Sequence, residues 1–352
     1  MKTYTQAQLD EILRNHKHWI LEDCDGWEGM RANLFGSDLS GCDLSGSDLS
    51  RCNLSGCDLS GCYLSRSDLS GCNLFGSDLS GCDLSGSDLS RCNLSGCYLS
   101  RSDLSGCNLF GSNLSGSNLS GCNLFGSDLS GCNLSGCNLF GSNLFGSDLS
   151  GCDLSGSDLS RCNLSGCYLS RSDLSGCNLF GSNLSGCDLS GSDLSGCDLS
   201  GCNLFGSDLS GCNLSGCDLS GSDLSGCNLS GSDLSGAKNV PYIPMTCPDS
   251  GEFTGWKKAN GKIVKLLIPA DARRSSATGR KCRCDKAVVS AIENFDGTDS
   301  GLASIASSRD ANFIYTVGET VTVPDFCEDR FKECAAGIHF FINRQEVVEY
   351  NG

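Results

Sequence analysis

The chain has 352 residues, with 42 acidic against 25 basic side chains and a formal charge of −17. The excess is uneven: residues 32–235 hold 21 Asp and six Arg with no Glu or Lys, whereas residues 236–352 hold fifteen charges of each sign. No apolar run reaches the ~18 residues a membrane helix needs, and the acidic middle has no aromatic–basic interleaving, which argues against a direct grip on nucleic acid.

The N-terminal stretch "MKTYTQAQLDEILRNHKHW" has polar residues where a signal peptide needs an apolar core, so a cytoplasmic protein with reduced thiols is expected. Thr5 and Gln8 form a capping-box pattern ahead of a helical apolar stripe, Leu9, Ile12 and Leu13. Residues 1–31 are therefore expected to be a capping helix, with Trp19, Ile20 and Leu21 plugging whatever follows. His16 and His18, near the helix end, read as surface groups rather than metal ligands.

From Leu34 to Leu234 a Leu stands at every fifth position, making 41 pentads. Two places before it stands Ser or Cys, with Ala32 once at the start. One place before stands Asp or Asn, except at Tyr63, Tyr98 and Tyr168; Ser or Phe and then Gly or Arg follow. A period of five fits neither helix nor strand. In extended backbone the small residue and the Leu point to the same side, and Ser-Gly supplies turn chemistry before the next small residue. The unit is a very short strand plus a corner, and stacked coils let each backbone pair with neighbours about 4.8 Å away. This is a β solenoid with Leu and the small residue inside. Gly suits a corner with φ > 0, whereas Arg51, Arg66, Arg91, Arg101, Arg161 and Arg171 do not, so those six corners are expected to use negative φ.

The pattern resembles the pentapeptide-repeat family over residues 32–236. The resemblance implies a right-handed quadrilateral β-helix with four pentads per coil, and hence about ten coils for 41 pentads. On that geometry residues 20 apart stack, as in Cys42, Cys62 and Cys82 or Cys177, Cys197 and Cys217. Stacked Cβ atoms would be about 4.8 Å apart, beyond the usual disulfide range. All 22 repeat cysteines occupy the small inward position and read as core. The same sorting puts Asp48, Asp68 and Asp88 on one acid-rich face and Asp38, Asp58 and Asp78 on the opposite one. A third face carries an asparagine ladder from Asn33 to Asn133, able to hydrogen-bond along the stack. The block "RCNLSGCYLSRSDLSGCNLFGSNLSG" starts at both Arg91 and Arg161, an offset of 70 residues or three and a half coils. A binding stripe tuned residue by residue would not tolerate that shift.

Residues 237–250 change composition abruptly and read as a linker or rim, and 251–352 as a small α+β domain. "FTGWKK" and "KIVKLLI" flank Ala259-Asn260-Gly261, a hairpin signal. Strands are expected near Lys286–Ile292, Asn312–Val317, Thr320–Val323 and Ile338–Ile342. A closing helix should start at Asn343, with Glu346 completing its capping box. This region resembles a domain of unknown function that often follows pentapeptide repeats, through "KLLIPADARRSSATGRKCRCDKA" and "CAAGIHFFINRQEVVEY"; the resemblance brings no activity. Cys282, Cys284, Cys327, Cys334 and His339 offer a zinc set without CxxC spacing, and His339 in "GIHFFI" reads as a core histidine. Arg273, Arg274, Arg280, Lys281 and Arg283, near Ser275, Ser276 and Thr278, form the anion-binding candidate, with a solvated loop as its alternative.

No phosphate loop, nucleophile elbow or zinc-protease motif is present, so no catalytic residue, cofactor or metal is expected. The expected function is a non-enzymatic interaction scaffold: a rigid acidic β-helical rod presenting a C-terminal recognition domain to a protein partner. Its contact residues are Arg273, Arg274, Arg280, Lys281, Arg283 and Trp256. The alternative borrows from a branch of the family that resembles DNA and binds type II topoisomerases; it would use Asp38, Asp48, Asp58, Asp68, Asp78 and Asp88. A third class is an unrecognised enzymatic or nucleotide-binding role for residues 251–352. Neither direct nucleic-acid binding nor a membrane is expected.

Overall fold

The computed structural model describes residues 1–241, 246–276, 280–328 and 335–350. The chain divides into two compact units, one of Met1–Asn228 with Gly236–Pro241 and one of Leu229–Ser235 with Tyr242–Gly352.

In the first unit the capping box at Thr5 forms as the sequence predicts: Thr5 Oγ1 accepts from Gln8 N and Gln8 Oε1 accepts from Thr5 N. It opens helix α1 (Gln6–Leu21). A short strand before it, β1 (Lys2–Thr3), pairs in parallel with β2 (Ser37–Asp38) in the first coil. Beyond this, each residue preceding a Leu bridges its counterpart 20 residues on, as in Asn33–Asn53–Asn73 and Asp43–Tyr63–Asp83. A coil therefore closes every four pentads. The Leu set points inward over nearly its whole length: every one from Leu34 to Leu219 is at most 1% exposed, whereas Leu224, near the end of the stack, is only partly buried.

The small inward residue does more than fill space. Cys57 Sγ donates to Leu34 O at 2.8 Å and Ser67 Oγ to Leu44 O at 2.7 Å, and the same bond, 23 residues back, recurs coil after coil. Ser and Cys alternate freely because both are small donors. Ser37 Oγ, in the first coil, is buried without a partner; the residue 23 places back is Arg14, in α1.

The arginine corners differ from expectation. All six lie at positive φ, from 57° at Arg66 to 63° at Arg101. The corner N–H must reach the carbonyl of the next coil whatever the side chain: Arg51 N donates to Ser70 O at 2.8 Å, as Gly71 N does to Ser90 O at 2.8 Å. Leaving that N–H and the facing carbonyl both unpaired inside a continuous ladder would cost about 1–3 kcal/mol for each group, which offsets the ~1–2 kcal/mol of a left-handed residue. Room comes from the next corner: Arg51 Cγ passes 3.6 Å from where a Cβ on Gly71 would stand.

α1 closes the first coils, but not with the residues expected. Leu21 is 55% exposed, and Trp19 and Ile20 are half-buried. His16, read from sequence as a surface group, is instead fully buried. Its Nδ1 accepts from Ala32 N at 3.2 Å, which places the proton on Nε2, 2.9 Å from Ser50 O. Burial holds its pKa below the ordinary value.

The second unit is built on antiparallel sheets. β3 (Phe253–Ala259) and β4 (Lys262–Ile268) form the expected hairpin, with Asn260 and Gly261 both at positive φ. β7 (Lys286–Glu293) and β10 (Thr320–Thr322) complete a four-stranded sheet in the order β10-β7-β4-β3. A second sheet orders β11 (Ile338–Phe340), β6 (Cys282–Cys284) and β5 (Arg274–Ser276). Paired backbone bonds between Trp256 and Phe341 link it to β3. β8 (Ser304–Ala306) pairs with β9 (Ile314–Thr316). The core gathers Val264, Leu266, Val289, Tyr315 and Phe340. Helix α2 (Arg344–Glu349) has Asn343 as its N-cap, accepting from Gln345 N. Glu346 does not complete the expected capping box; its carboxylate pairs with Arg280.

Candidate functional site

On the solenoid surface the position before each Leu carries the charge, and its geometry is set by the corner. Asp43 Oδ1 accepts from Ser45 N at 3.1 Å, and Asn133 Oδ1 from Ser135 N at 3.0 Å. The hydrogen bonds from Ser45 hold the Asp43 carboxyl below the usual range. Asp48–Asp68–Asp88 and Asp38–Asp58–Asp78 form the two stacked acidic runs, but Tyr98 follows Asp78 and Asn108 follows Asp88. Along the Asn33–Asn133 face, Asn93 Nδ2 donates to Asn73 Oδ1 at 3.3 Å. A longer chain of such bonds lies on another face, from Asn163 to Asn143, Asn123 and the carboxylate of Asp103. Phe125 and Phe145 stack at 5.7 Å on adjacent coils.

In the second unit the sequence-predicted cations are largely engaged. Arg273 forms ion pairs with Asp285 and Glu328, both at 3.0 Å. Arg274 donates to the carbonyls of Gly251, Pro269 and Ala270 and lies over Phe253. Arg283 is 3% exposed, over Phe326, and donates to Cys327 O. Trp256 is half-buried in β3. Thr278 and Cys334 lie outside the described residues. Among the described residues one set of side chains comes close enough to share a metal ion, His18, Asp23 and Cys24. Cys282, Cys284, Cys327 and His339 do not gather. His339 Nε2 lies 2.8 Å from Ala335 O, and burial lowers its pKa to about 4.

Lys281, unlike its arginine neighbours, faces a cavity of about 760 Å³ shared with Lys257, Arg309 and Tyr315. Sequence reading missed Lys257 and Arg309, because they lie far apart in the chain and in no charge run.

Eight matches to the family described as pentapeptide repeats together span residues 30–236. The chain belongs to the pentapeptide-repeat family. The right-handed, four-sided β-helix is the architecture of that family, and the second unit matches a family of unknown function (DUF5758) over residues 243–347. Among solved structures, this pentapeptide-repeat chain is similar to HetL of the cyanobacterium Nostoc sp. strain PCC 7120, a protein involved in heterocyst differentiation regulation. Identity is 31%, with 65% of this chain and 97% of HetL covered, at a TM-score of 0.48. It is also similar to QnrB1, a plasmid-mediated fluoroquinolone resistance protein, with 24% identity, 58% and 88% coverage and a TM-score of 0.27. A third is a pentapeptide-repeat protein of the Arabidopsis thaliana thylakoid lumen, with 31% identity, 29% and 68% coverage and a TM-score of 0.22. No curated protein matches the chain. Among the described residues no helix is long and apolar enough to cross a membrane.

Proposed function

We propose that the protein is a non-enzymatic interaction scaffold in which the β-helix supplies a stiff acidic arm and the C-terminal domain recognises a protein partner. One observation carries this reading. The outward Asp and Asn are spent on corner hydrogen bonds repeated in each coil, which leaves the solenoid few distinct anchors. The C-terminal domain is charge-balanced and compositionally complex. There, Arg273 and Arg280 keep side chains 47% and 68% exposed, and with Lys281 and Trp256 they form the proposed contact surface. Arg283, 3% exposed, is closed to a partner, and Arg274 is held by the carbonyls of Gly251, Pro269 and Ala270, so neither belongs to that surface.

A second reading, mimicry of DNA toward a type II topoisomerase, is favoured by the two opposite acidic runs. Their spacing weighs against it. One acid per face per coil gives a charge every ~4.8 Å along each face, against one per ~3.4 Å along each strand of duplex DNA, and Tyr98 and Asn108 break both runs.

The test compares the full chain, a chain lacking residues 251–352 and a chain lacking two whole coils, in affinity capture at low and high salt. The scaffold reading expects the bound protein to survive coil deletion and to be lost with the C-terminal domain. Binding that follows coil number and disappears in high salt would overturn it. Inhibition of gyrase supercoiling by the chain lacking 251–352, lost when Asp48, Asp68 and Asp88 become Asn, would establish the second reading instead.

A further inference from the structure

Four cations of the second unit meet a carboxylate among the described residues. Arg273, Arg280, Lys286 and Arg344 each form an ion pair. Lys257, Lys281 and Arg309 do not, among the described residues, and all three line the cavity of about 760 Å³. Asp310 and Asp325 also line it but form no ion pair with any of the three among the described residues.

Lys257 is the least comfortable of the three. It sits mid-strand in β3, its Nζ 3.4 Å from His339 O and 5.9 Å from the centre of the Tyr315 ring. Burial and the like charges of Lys281 and Arg309 bring its pKa down to about 8. Tyr315 is 2% exposed and also lines the cavity, yet its hydroxyl has no hydrogen-bond partner among the described residues. Phe313 packs edge-on against that ring at 5.3 Å. Lys257, desolvated beside the half-buried Lys281 and the exposed Arg309 with no ion pair among the described residues, is costly for folding. With the aromatic walls of Phe313 and Tyr315, whose hydroxyl makes no hydrogen bond among the described residues, the three cations form a site in want of an anion.

We propose that this cavity binds a small phosphorylated molecule bearing a planar ring, a nucleotide-class ligand. Its phosphate is taken by Lys257, Lys281 and Arg309, and its ring lies against Phe313 and Tyr315. The proposal adds a ligand to the domain and shares only Lys281 with the proposed contact surface, so ligand binding and partner capture fail separately.

The experiment is calorimetric titration of the full chain at neutral pH with adenosine monophosphate, inorganic phosphate and adenosine. Adenosine monophosphate should bind at one saturable site, phosphate more weakly and adenosine least. Lys257→Met and Arg309→Met should each weaken binding about tenfold or more, the scale of a charge-assisted contact. Lys265→Met, outside the cavity, should leave binding unchanged. Because Lys257 is buried against like charges, Lys257→Met should also raise the thermal midpoint of the ligand-free protein. Three results would each overturn the proposal: no saturable binding at millimolar ligand, equal weakening by Lys265→Met, or a Lys257→Met protein that is less stable without ligand.

Discussion

A carboxylate and a carboxamide present the same acceptor oxygen, and the solenoid uses that oxygen to fix its corners. Asp and Asn therefore interchange at the position before each Leu, and the negative charge is a by-product wherever Asp is the choice. Asp83 shows the arrangement in full, accepting from Ser85 N at 3.0 Å and Ser85 Oγ at 2.7 Å. Asp83→Asn should leave stability within a few tenths of a kcal/mol, whereas Asp83→Ala should cost about 0.5–1.5 kcal/mol; chemical denaturation of the two variants measures the difference. The alternation itself was plain in the sequence. Its cause was not, since Oδ1 reaching a backbone N–H two residues on is a matter of conformation. The Ser–Cys alternation hid its cause in the same way: its acceptor, a Leu carbonyl, belongs to the previous coil.

Among the elements, α1 shows where sequence reasoning succeeds and stops. Thr5 and Gln8 are three residues apart, so their box is a local fact and was legible. His16 was misread because its partners, Ser50 and Cys52, are 34 and 36 residues away and only the coil brings them near. The arginine corners failed for the same reason, a local preference yielding to the ladder. Strands β5 and β6, three residues each, are too short to show alternation. The hairpin at Asn260-Gly261 was legible because its turn chemistry is local. His16 also makes the cap sensitive to acid. A histidine whose folded pKa lies below its unfolded value contributes stability above ~6.5 that is lost as pH falls from there. Replacing His16 by Gln should lower stability at neutral pH and flatten its decline on acidification, read from denaturant midpoints of both proteins across the acid range.

For the molecule as a whole, charge separates the two parts of the sequence. Residues 32–235 carry 21 acids against six bases, and residues 236–352 are balanced. Stacked Asp pairs such as Asp48–Asp68 repel at the surface, where salt screens within ~10 Å at moderate ionic strength. Sodium chloride should therefore raise the unfolding transition of the solenoid and leave that of the C-terminal domain nearly in place, as separate transitions in scanning calorimetry. Equal shifts in both would show that the acidic runs carry no strain.

The out-of-phase duplication has a further meaning in terms of valency. Tyr98 and Arg101 recur as Tyr168 and Arg171 within an identical stretch of sequence 70 residues on, while each coil takes 20. The two copies consequently face away from each other. The coils stacked beside them differ, with Asp78 and Asn118 flanking Tyr98 and Asp148 and Asp188 flanking Tyr168. A ligand that reads only the shared stretch meets two sites that one small molecule cannot span, so it binds with a stoichiometry of two and, if itself bivalent, joins one protein to the next. One that also reads the flanking coils distinguishes the two by the extra carboxylate beside Tyr168.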